Sequence, residues 1–560
     1  MSKTSAKANA RYLSKILKAH QCRDVVIAPG SRNAPMILAF TEDTDYNCVS
    51  APDERSAAFT ALGMTIGSKQ PVAVICSSGS AVVNFYPAVV EAYYQRLPLV
   101  VITADRPLEW VDQGVGQTIR QENVYGRHIV FSANLVRDPS DTLARHYNQR
   151  LINEAMIASE RGPVHINVPF DEPLYDLIDE PEEDIHLIQK LKPELLLDED
   201  YMNGLAEIWD SSAKVMVLAG QMPPDKWLQE ALENLHQKSP FLVLSETVSN
   251  LDIPNAIGSI DRMINTISEE DRKDLAPDLL ITIGGEVVSK MVKKFLKEHP
   301  PRYHWHVDEA GEVKDPFMSL QTLIPVQTDN FFDQMEGFVT SRESAYPDKW
   351  LQVDRKKSEG QQQYSQKVAY SDFKVFDHIL QNLPPKSILH CANSASIRYA
   401  QLFDHNKGIE HYANRGTSGI DGCTSTAIGH ALTTHAMVTL VTGDVAFLYD
   451  SNALWNDRLP ANLRVIIINN QGGNIFRIIE GPAGQDSLER YQETVHTLQG
   501  KGIAETYGVD YQKTTDEKEL LKALPAFFEN ASGPRILEVM TPRLESPGIL
   551  KDFFKSLKKG

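Results

Sequence analysis

Short runs of β-branched and other apolar residues recur along the chain, each followed by a stretch whose apolar positions fall at helical spacing. From Asp24 to Pro173 the runs are VVIAPG, PVAVICSSGS, LPLVVITADRP and GPVHINVP. They are continuous rather than alternating, which is the pattern of strands buried on both faces of a parallel sheet and joined by helices. A second block, Lys214 to about Val339, holds VMVLAG, FLVLSE, DLLITIGG and YHWHVDE; a third, from Ser371 onward, holds SILHCA, MVTLVTGD, LRVIIINN and PRILEVM. Between them lie an acidic, proline-containing stretch, Asp176 to Asp200, and a polar one, Ser341 to Tyr370, containing RKKSEGQQQ. Both read as linkers. The expected fold class is therefore α/β, three doubly wound domains with mainly parallel sheets, over residues 1–180, 200–340 and 370–560. A length of 560 residues suits roughly three cores. The outer blocks also resemble each other: a strand ends at SSGSA or at TGDVA, a helix follows, and Gly79 to Asp105 spans the same 26 residues as Gly443 to Asn469. Two like domains around a different one suggest a cofactor held between the pair.

Composition narrows the partners. The formal charge is −18 and no Lys/Arg-rich run stands against it, which argues against nucleic acid or an anionic membrane surface. If the substrates are anions, the basic residues that bind them must be few and local, so single arginines become informative. Five scattered cysteines form no CxxC, which indicates neither a disulfide framework nor a zinc site and fits a reducing cytosol. Met1 to His20 is a polar amphipathic helix pattern without an apolar leader core, and no apolar run reaches about 18 residues. Neither an export signal nor a membrane span is expected.

The strongest chemistry lies in GDVAFLYDSNALWNDRLPANLRVIIINNQGG. One strand ends in Gly443-Asp444 with a helix starting at once, and the next ends in Asn469-Asn470-Gln471-Gly472-Gly473. Adjacent parallel strands bring their carboxyl ends side by side, where doubly wound sheets bind ligands. Asp444 and Asn470 then face one another. A carboxylate, an amide oxygen and a backbone carbonyl are the hard ligands that magnesium takes while it also holds a diphosphate, and the glycines let N–H groups approach phosphates. Each half alone is also an ordinary βα turn or loop.

Together, at a separation of 26 residues, the two halves resemble the GD(G)…NN signature of thiamine-diphosphate enzymes. The resemblance implies thiamine diphosphate with Mg2+ or Mn2+, metal ligands at Asp444, Asn470 and the Gly472 carbonyl, and a cofactor cradle of Gly443, Val445, Ala446, Gly473 and Asn474. Val445 departs from the glycine that many members carry. The resemblance also implies a glutamate that exchanges a proton with the pyrimidine ring; Glu54 in APDERSAAF stands where that glutamate stands. Ile420 in GTSGIDG takes the place of the residue that bends the cofactor. Family architecture pairs the first block of one chain with the third of another, so a homodimer or homotetramer with the active site at the chain interface is expected.

Further stretches, APGSRNAP, PDERSAAF, ITADRP, GVGQTIRQ, ANSASIR, ANRGTSGIDG and NNQGGNIF, are similar to the menaquinone-pathway branch of that family, a transferase branch that decarboxylates 2-oxoglutarate and adds the succinyl unit to isochorismate. Two multiply charged substrates require convergent cations. The matching motifs offer Ser31, Arg32 and Arg106 from the first block and Ser394, Arg398 and Arg415 from the third. Gln117 and the apolar Ile475, Phe476 and Ile479 complete the implied acceptor wall, and Lys290 stands where relatives have a Lys-Arg pair and this chain has Lys290-Met291. Any one of these arginines could equally be a structural ion pair. Two alternatives stay open: another thiamine-diphosphate carboligase or decarboxylase such as acetolactate synthase, and a non-catalytic cofactor-binding regulator.

Overall fold

A computed structural model describes residues 3–254, 256–404, 408–479 and 481–559. Domain one opens with β1 (Lys3–Ser5) and continues through β2 (Asp24–Ile27), β3 (Asn47–Ser50), β4 (Val72–Cys76), β5 (Leu99–Asp105), β6 (Phe131–Asn134) and β7 (Val164–Pro169). Short β1 pairs antiparallel with β8 (Leu177–Asp179), tying down the start of the stretch read as the first linker. The central domain contributes β9 (Val215–Ala219), β10 (Leu242–Ser245), β11 (Ala256–Ile257), β12 (Leu279–Ile283), β13 (Tyr303–Val307) and β14 (Thr322–Ile324). Domain three contributes β15 (Ile388–Cys391), β16 (Glu410–Tyr412), β17 (Val438–Gly443), β18 (Leu463–Asn469), β19 (Asp510–Thr514) and β20 (Arg535–Met540).

Each domain holds one six-stranded parallel sheet. The orders are β3-β2-β4-β5-β7-β6, β11-β10-β9-β12-β13-β14 and β16-β15-β17-β18-β20-β19. The outer sheets thus share one topology, as their sequence likeness implied. The apolar runs form the sheet centres because every residue of β4, β5, β9, β12 and β18 is buried, with helices on both faces. Helix starts are placed by short polar side chains that accept a backbone N–H: Asp53, Asp141, Asp198, Ser289, Ser371 and Asp516 each cap one. Among the described residues, no helix is long and apolar enough to cross a membrane.

The second expected linker is different. Most of it is a 22-residue helix, Tyr346–Lys367. Pro347 occupies its first turn, where the missing N–H costs nothing, and it buries Tyr346, Trp350, Lys357, Gln361 and Ser365. Its polarity concealed it: Lys357 and Gln361 reach partners through their heads, Lys357 on the Leu557 carbonyl at 2.6 Å and Gln361 on Arg262 at 2.9 Å. The buried positions after Trp350 therefore do not continue an apolar stripe.

The outer domains of the one chain pack on each other through helices Glu54–Ser68 and Cys423–Leu432. Their backbones nearly touch. A Cβ placed on Gly63 would lie 2.0 Å from the Thr426 carbonyl oxygen, and one on Gly429 2.0 Å from that of Thr60. An interior glycine normally costs a helix about 0.5–1 kcal/mol relative to alanine, so in an isolated helix Gly63→Ala would stabilise. Here the added methyl has no room, and Gly63→Ala is expected to lower the melting temperature. Differential scanning calorimetry checks it; an unchanged or raised melting temperature would rule out so close a contact.

Candidate active site

The carboxyl ends of β17 and β18 meet as expected. Asp444 begins the short helix Asp444–Tyr449 and is buried. Its Oδ1 accepts from the Val445 N–H at 2.7 Å and its Oδ2 from the Gly472 N–H at 3.0 Å. His496 Nε2 stands 3.4 Å from Oδ2, and that carboxylate raises the imidazole's affinity for a proton. Asn470 is buried, with Nδ2 donating to Asp372 at 3.1 Å and Oδ1 left without a partner. The Gly472 carbonyl accepts one N–H, from Asn474 at 3.0 Å, and both side-chain polar atoms of Asn474 are buried and unpartnered. Buried polar atoms are normally satisfied, and exceptions point to an ion or ligand. A carboxylate, a free amide oxygen and a carbonyl with a spare lone pair fit a hard divalent cation. Gly443, Val445, Ala446 and Gly473 surround this group in the chain. Asp372 is an addition that sequence reading missed. Its pKa is pushed up to about 6, first by burial and also by Asp444, and nothing in the spacing of Ser371-Asp372 singles it out.

Glu54 stands at the first turn of its helix, half-buried, with Asn84 Nδ2 donating to it at 3.2 Å. Its neighbours bind domain three: Arg55 Nη2 donates to the Tyr449 carbonyl at 2.8 Å, and Asp53 accepts from Asn452 at 2.8 Å. Gly422 lies against Phe59, and Ile420, two residues earlier, is part-buried against the core of domain three. The start of the helix that carries Glu54 therefore meets the end of the short helix that Asp444 begins.

The cationic residues fall into two groups. In domain one, Arg32 is buried, donates to the Phe170 carbonyl at 3.2 Å and lies 3.3 Å from Glu172. Burial first, then the nearby Arg106, lowers its pKa. Arg106 donates to the Gly116 carbonyl at 3.1 Å, and exposed Ser31 shares a hydrogen bond with Tyr175. Gln117 is held by its backbone, whose carbonyl accepts from Ser78 at 2.8 Å. In domain three, Ser394 precedes the helix Ala395–Ala400, which carries Arg398. Arg415 is buried and donates to Asn393 at 2.8 Å. Burial lowers the pKa of Arg398, with Arg415 acting in the same direction. The Nε of each of these two arginines is buried without a partner. Ile475, Phe476 and Ile479 are half-exposed on and just after the short helix Ile475–Ile478.

The central domain enters here. Glu246, directly after β10, is fully buried and accepts the N–H groups of Val288 and Ser289, both at 2.6 Å. Buried Asp261 accepts from the Ser289 hydroxyl, and its charge acts on Arg398. Glu286 lies 3.5 Å from Arg415. Lys290 is the exposed first residue of helix Lys290–Glu298, while Lys293, one turn further, lies 3.7 Å from Glu286. Glu246 stands at a strand's carboxyl end, as Asp444 does, so that signal could have found it. Asp261, Glu286 and Lys293 carry no comparable sequence signal.

Known proteins share this order of domains. Residues 8–124 match the thiamine pyrophosphate enzyme N-terminal TPP binding domain, residues 201–391 the middle domain of thiamine pyrophosphate enzymes, and residues 394–539 the C-terminal TPP binding domain. The fold and the matched domains define the class: the chain belongs to the thiamine pyrophosphate enzymes. A benzoylformate decarboxylase from Polynucleobacter necessarius has the same fold, with a TM-score of 0.70 and 15% identity over 96% of this chain and 99% of that one. Nearer relatives are 2-succinyl-5-enolpyruvyl-6-hydroxy-3-cyclohexene-1-carboxylate synthases. That of Flavobacterium johnsoniae is 42% identical over 98% of this chain and 99% of its own, and that of Bacteroides thetaiotaomicron 37% identical over 99% and 100%. Within the class, this chain belongs to that synthase family.

Glu246 also makes a measurable demand on stability. Burial, the largest cause, pushes its pKa up to about 7 from an ordinary 4.5. Between those values the folded state binds more protons than the unfolded one, so stability falls as pH rises through the window. The melting temperature of the protein is expected to drop relative to that of Glu246→Gln between about pH 4.5 and pH 7. A difference that stays constant across this range would show that Glu246 titrates normally.

Proposed function

We propose that the chain decarboxylates 2-oxoglutarate and adds the remaining succinyl unit to isochorismate, giving 2-succinyl-5-enolpyruvyl-6-hydroxy-3-cyclohexene-1-carboxylate and CO2 in menaquinone biosynthesis, with thiamine diphosphate and Mg2+ or Mn2+. The observation that carries this reading is the Arg398–Arg415 pair, two like charges held together with unpartnered, buried Nε groups on the domain that also bears the Asp444 and Asn470 oxygens. In a chain of net charge −18, such a pair is built for an anion. Family membership supplies the substrates' names.

Thiamine diphosphate, when bound, supplies the acidic carbon and electron sink that decarboxylation of a 2-oxo acid needs. Asp444, Asn470 and the Gly472 carbonyl hold the metal. Gly443, Val445, Ala446, Gly473 and Asn474 line the diphosphate, where Val445 changes the shape of the cradle but leaves the carboxylate beside it. Ile420 would pack against the cofactor. Glu54 holds and returns a proton at the pyrimidine nitrogen. Arg398 and Ser394, with Arg415 and Lys290, bind the 2-oxo acid's carboxylates; Ser31, Arg32, Arg106 and Gln117 bind isochorismate against Ile475, Phe476 and Ile479. The matched motifs contain no histidine pair placed to protonate a carbanion, which suits addition to a second substrate.

Self-association is part of the proposal. Glu54 is only half-buried, and the large side chains of Tyr94, Tyr449 and Trp455 are each about half-exposed, which suits cover by a second copy. A cytoplasmic location accords with five cysteines that form no disulfide.

The direct test is an assay of purified protein with thiamine diphosphate, magnesium, isochorismate and several 2-oxo acids, following CO2 and product mass. A succinylated product that disappears on chelation of the metal is expected; none with 2-oxoglutarate refutes the assignment. Arg398→Ala should raise the KM for 2-oxoglutarate about ten- to a hundredfold, the worth of a charge-assisted hydrogen bond of about 1.5–3 kcal/mol. Pyruvate, which lacks the distal carboxylate, should lose little. Equal loss for both acids would make Arg398 structural. Co-refolding inactive Glu54→Gln with inactive Asp444→Ala tests the pairing of domains. Restored activity is expected, since a site shared between chains gives one intact site per mixed dimer; no recovery would place each site inside one chain.

A further inference from the structure

Arg398 and Arg415 have two kinds of negative neighbour. Glu246 and Asp261 are buried and fixed in place by the N–H and hydroxyl groups around Ser289. Glu286 is held quite differently. Its side chain is 39% exposed, lies 3.5 Å from Arg415 Nη2 and 3.7 Å from Lys293 Nζ, and accepts from the Ser418 hydroxyl at 3.3 Å. All three contacts are long. Its charge is also felt at Arg398.

Its backbone, by contrast, is anchored. The Gly285 N–H donates to the Gln221 carbonyl at 2.7 Å, and the Gln221 N–H returns a bond to the Glu286 carbonyl at 3.1 Å. The Gln221 amide in turn donates to Gln95 of domain one at 3.1 Å and to the Ala413 carbonyl of domain three at 2.9 Å. A loop pinned where three domains meet therefore presents one loosely held carboxylate to a cluster of cations.

We propose that Glu286 is an internal stand-in for the carboxylate of the 2-oxo acid. It occupies the anion position between Arg415, Lys293 and Ser418 until substrate displaces it, and so sets the apparent affinity for dicarboxylates. The proposal rests on reading Arg398 and Arg415 as the carboxylate site. A structural partner would have closed on the guanidinium group, as Asp308 does on Arg96 at 2.6 Å, yet Glu286 stays 3.5 Å from Arg415. Partly exposed ion pairs at such distances contribute little, whereas a substrate carboxylate at hydrogen-bonding distance makes stronger charge-assisted bonds. The incoming acid wins, but its affinity is reduced by the fraction of molecules in which Glu286 fills the position.

The test uses the holoenzyme with Glu286→Gln, which keeps the shape and removes the charge. Two quantities are read: the KM for 2-oxoglutarate, and the inhibition constant of glutarate, a dicarboxylate without the reacting carbonyl. Both are expected to fall about two- to fivefold, the range an exposed ion pair spans, while kcat/KM for pyruvate stays within about twofold. Glu286→Ala should move both constants in the same direction, which guards against a new contact made by the amide. Unchanged or higher constants in both variants overturn the proposal, because Glu286 would then be idle or would hold the arginines in place. Arg415→Ala separates the two layers of the argument. If it weakens glutarate while the Glu286 variants change nothing, only the stand-in role fails; if glutarate is indifferent to Arg415→Ala, the carboxylate site itself is misassigned.

Discussion

Helices Glu54–Ser68 and Cys423–Leu432 can meet backbone to backbone only because Gly63 and Gly429 carry no side chain. Everything at the junction of the outer domains depends on that separation. The bonds from Arg55 to Tyr449, from Asn452 to Asp53 and from the Ser50 N–H to Asp457 are all 2.8–3.0 Å long. They leave no slack for helices set further apart. Because Glu54 occupies the first turn of one helix and Ile420 lies just ahead of the other, the contact that joins the domains also fixes how each chain presents these two side chains. Packing and chemistry share one constraint.

Electrostatics assigns the central domain its task. An acidic chain that buries arginines pays for their desolvation unless counter-charge is built in. Glu246 and Asp261 stand behind the arginines with carboxyls that burial shifts toward the neutral form, on a domain that contributes none of the GD…NN motif. Backbone and hydroxyl hydrogens that point at them offset part of the cost of burial. The middle of the chain is therefore more than a spacer: it tunes the field at the two guanidinium groups.

The sheets and the approach of Asp444 to the loop after Asn470 were legible in the sequence for a plain reason. Buried parallel strands must be continuous apolar runs, and ligand loops must follow their carboxyl ends, so VTLVTGD and LRVIIINN announce both element and site. The helix Tyr346–Lys367 was not legible, because after Tyr346 and Trp350 its buried positions are Lys357, Gln361 and Ser365, which break the apolar stripe that marks a helix. The roles of Asp261, Glu286 and Asp372 depend on contacts between segments far apart in sequence; Asp372 lies 98 positions from Asn470, and no local pattern encodes that approach. Lys293, one turn beyond Lys290, is the lysine that the helix turns toward Glu286, and no motif singles it out.

The outer sheets have the same strand order, and this has a consequence for how such a site can change. Corresponding loops occupy corresponding places: the turn after β2 carries Ser31 and Arg32 as the turn after β15 carries Ser394, and the turn after β4 carries Ser77 to Gly79 as the turn after β17 carries Gly443 and Asp444. A duplicated frame of this kind holds two copies of every loop in register while requiring only one to keep an inherited task. The other is free to drift toward a new ligand without loosening the scaffold. Evolution of a second substrate pocket then needs no new architecture, only divergence between twins.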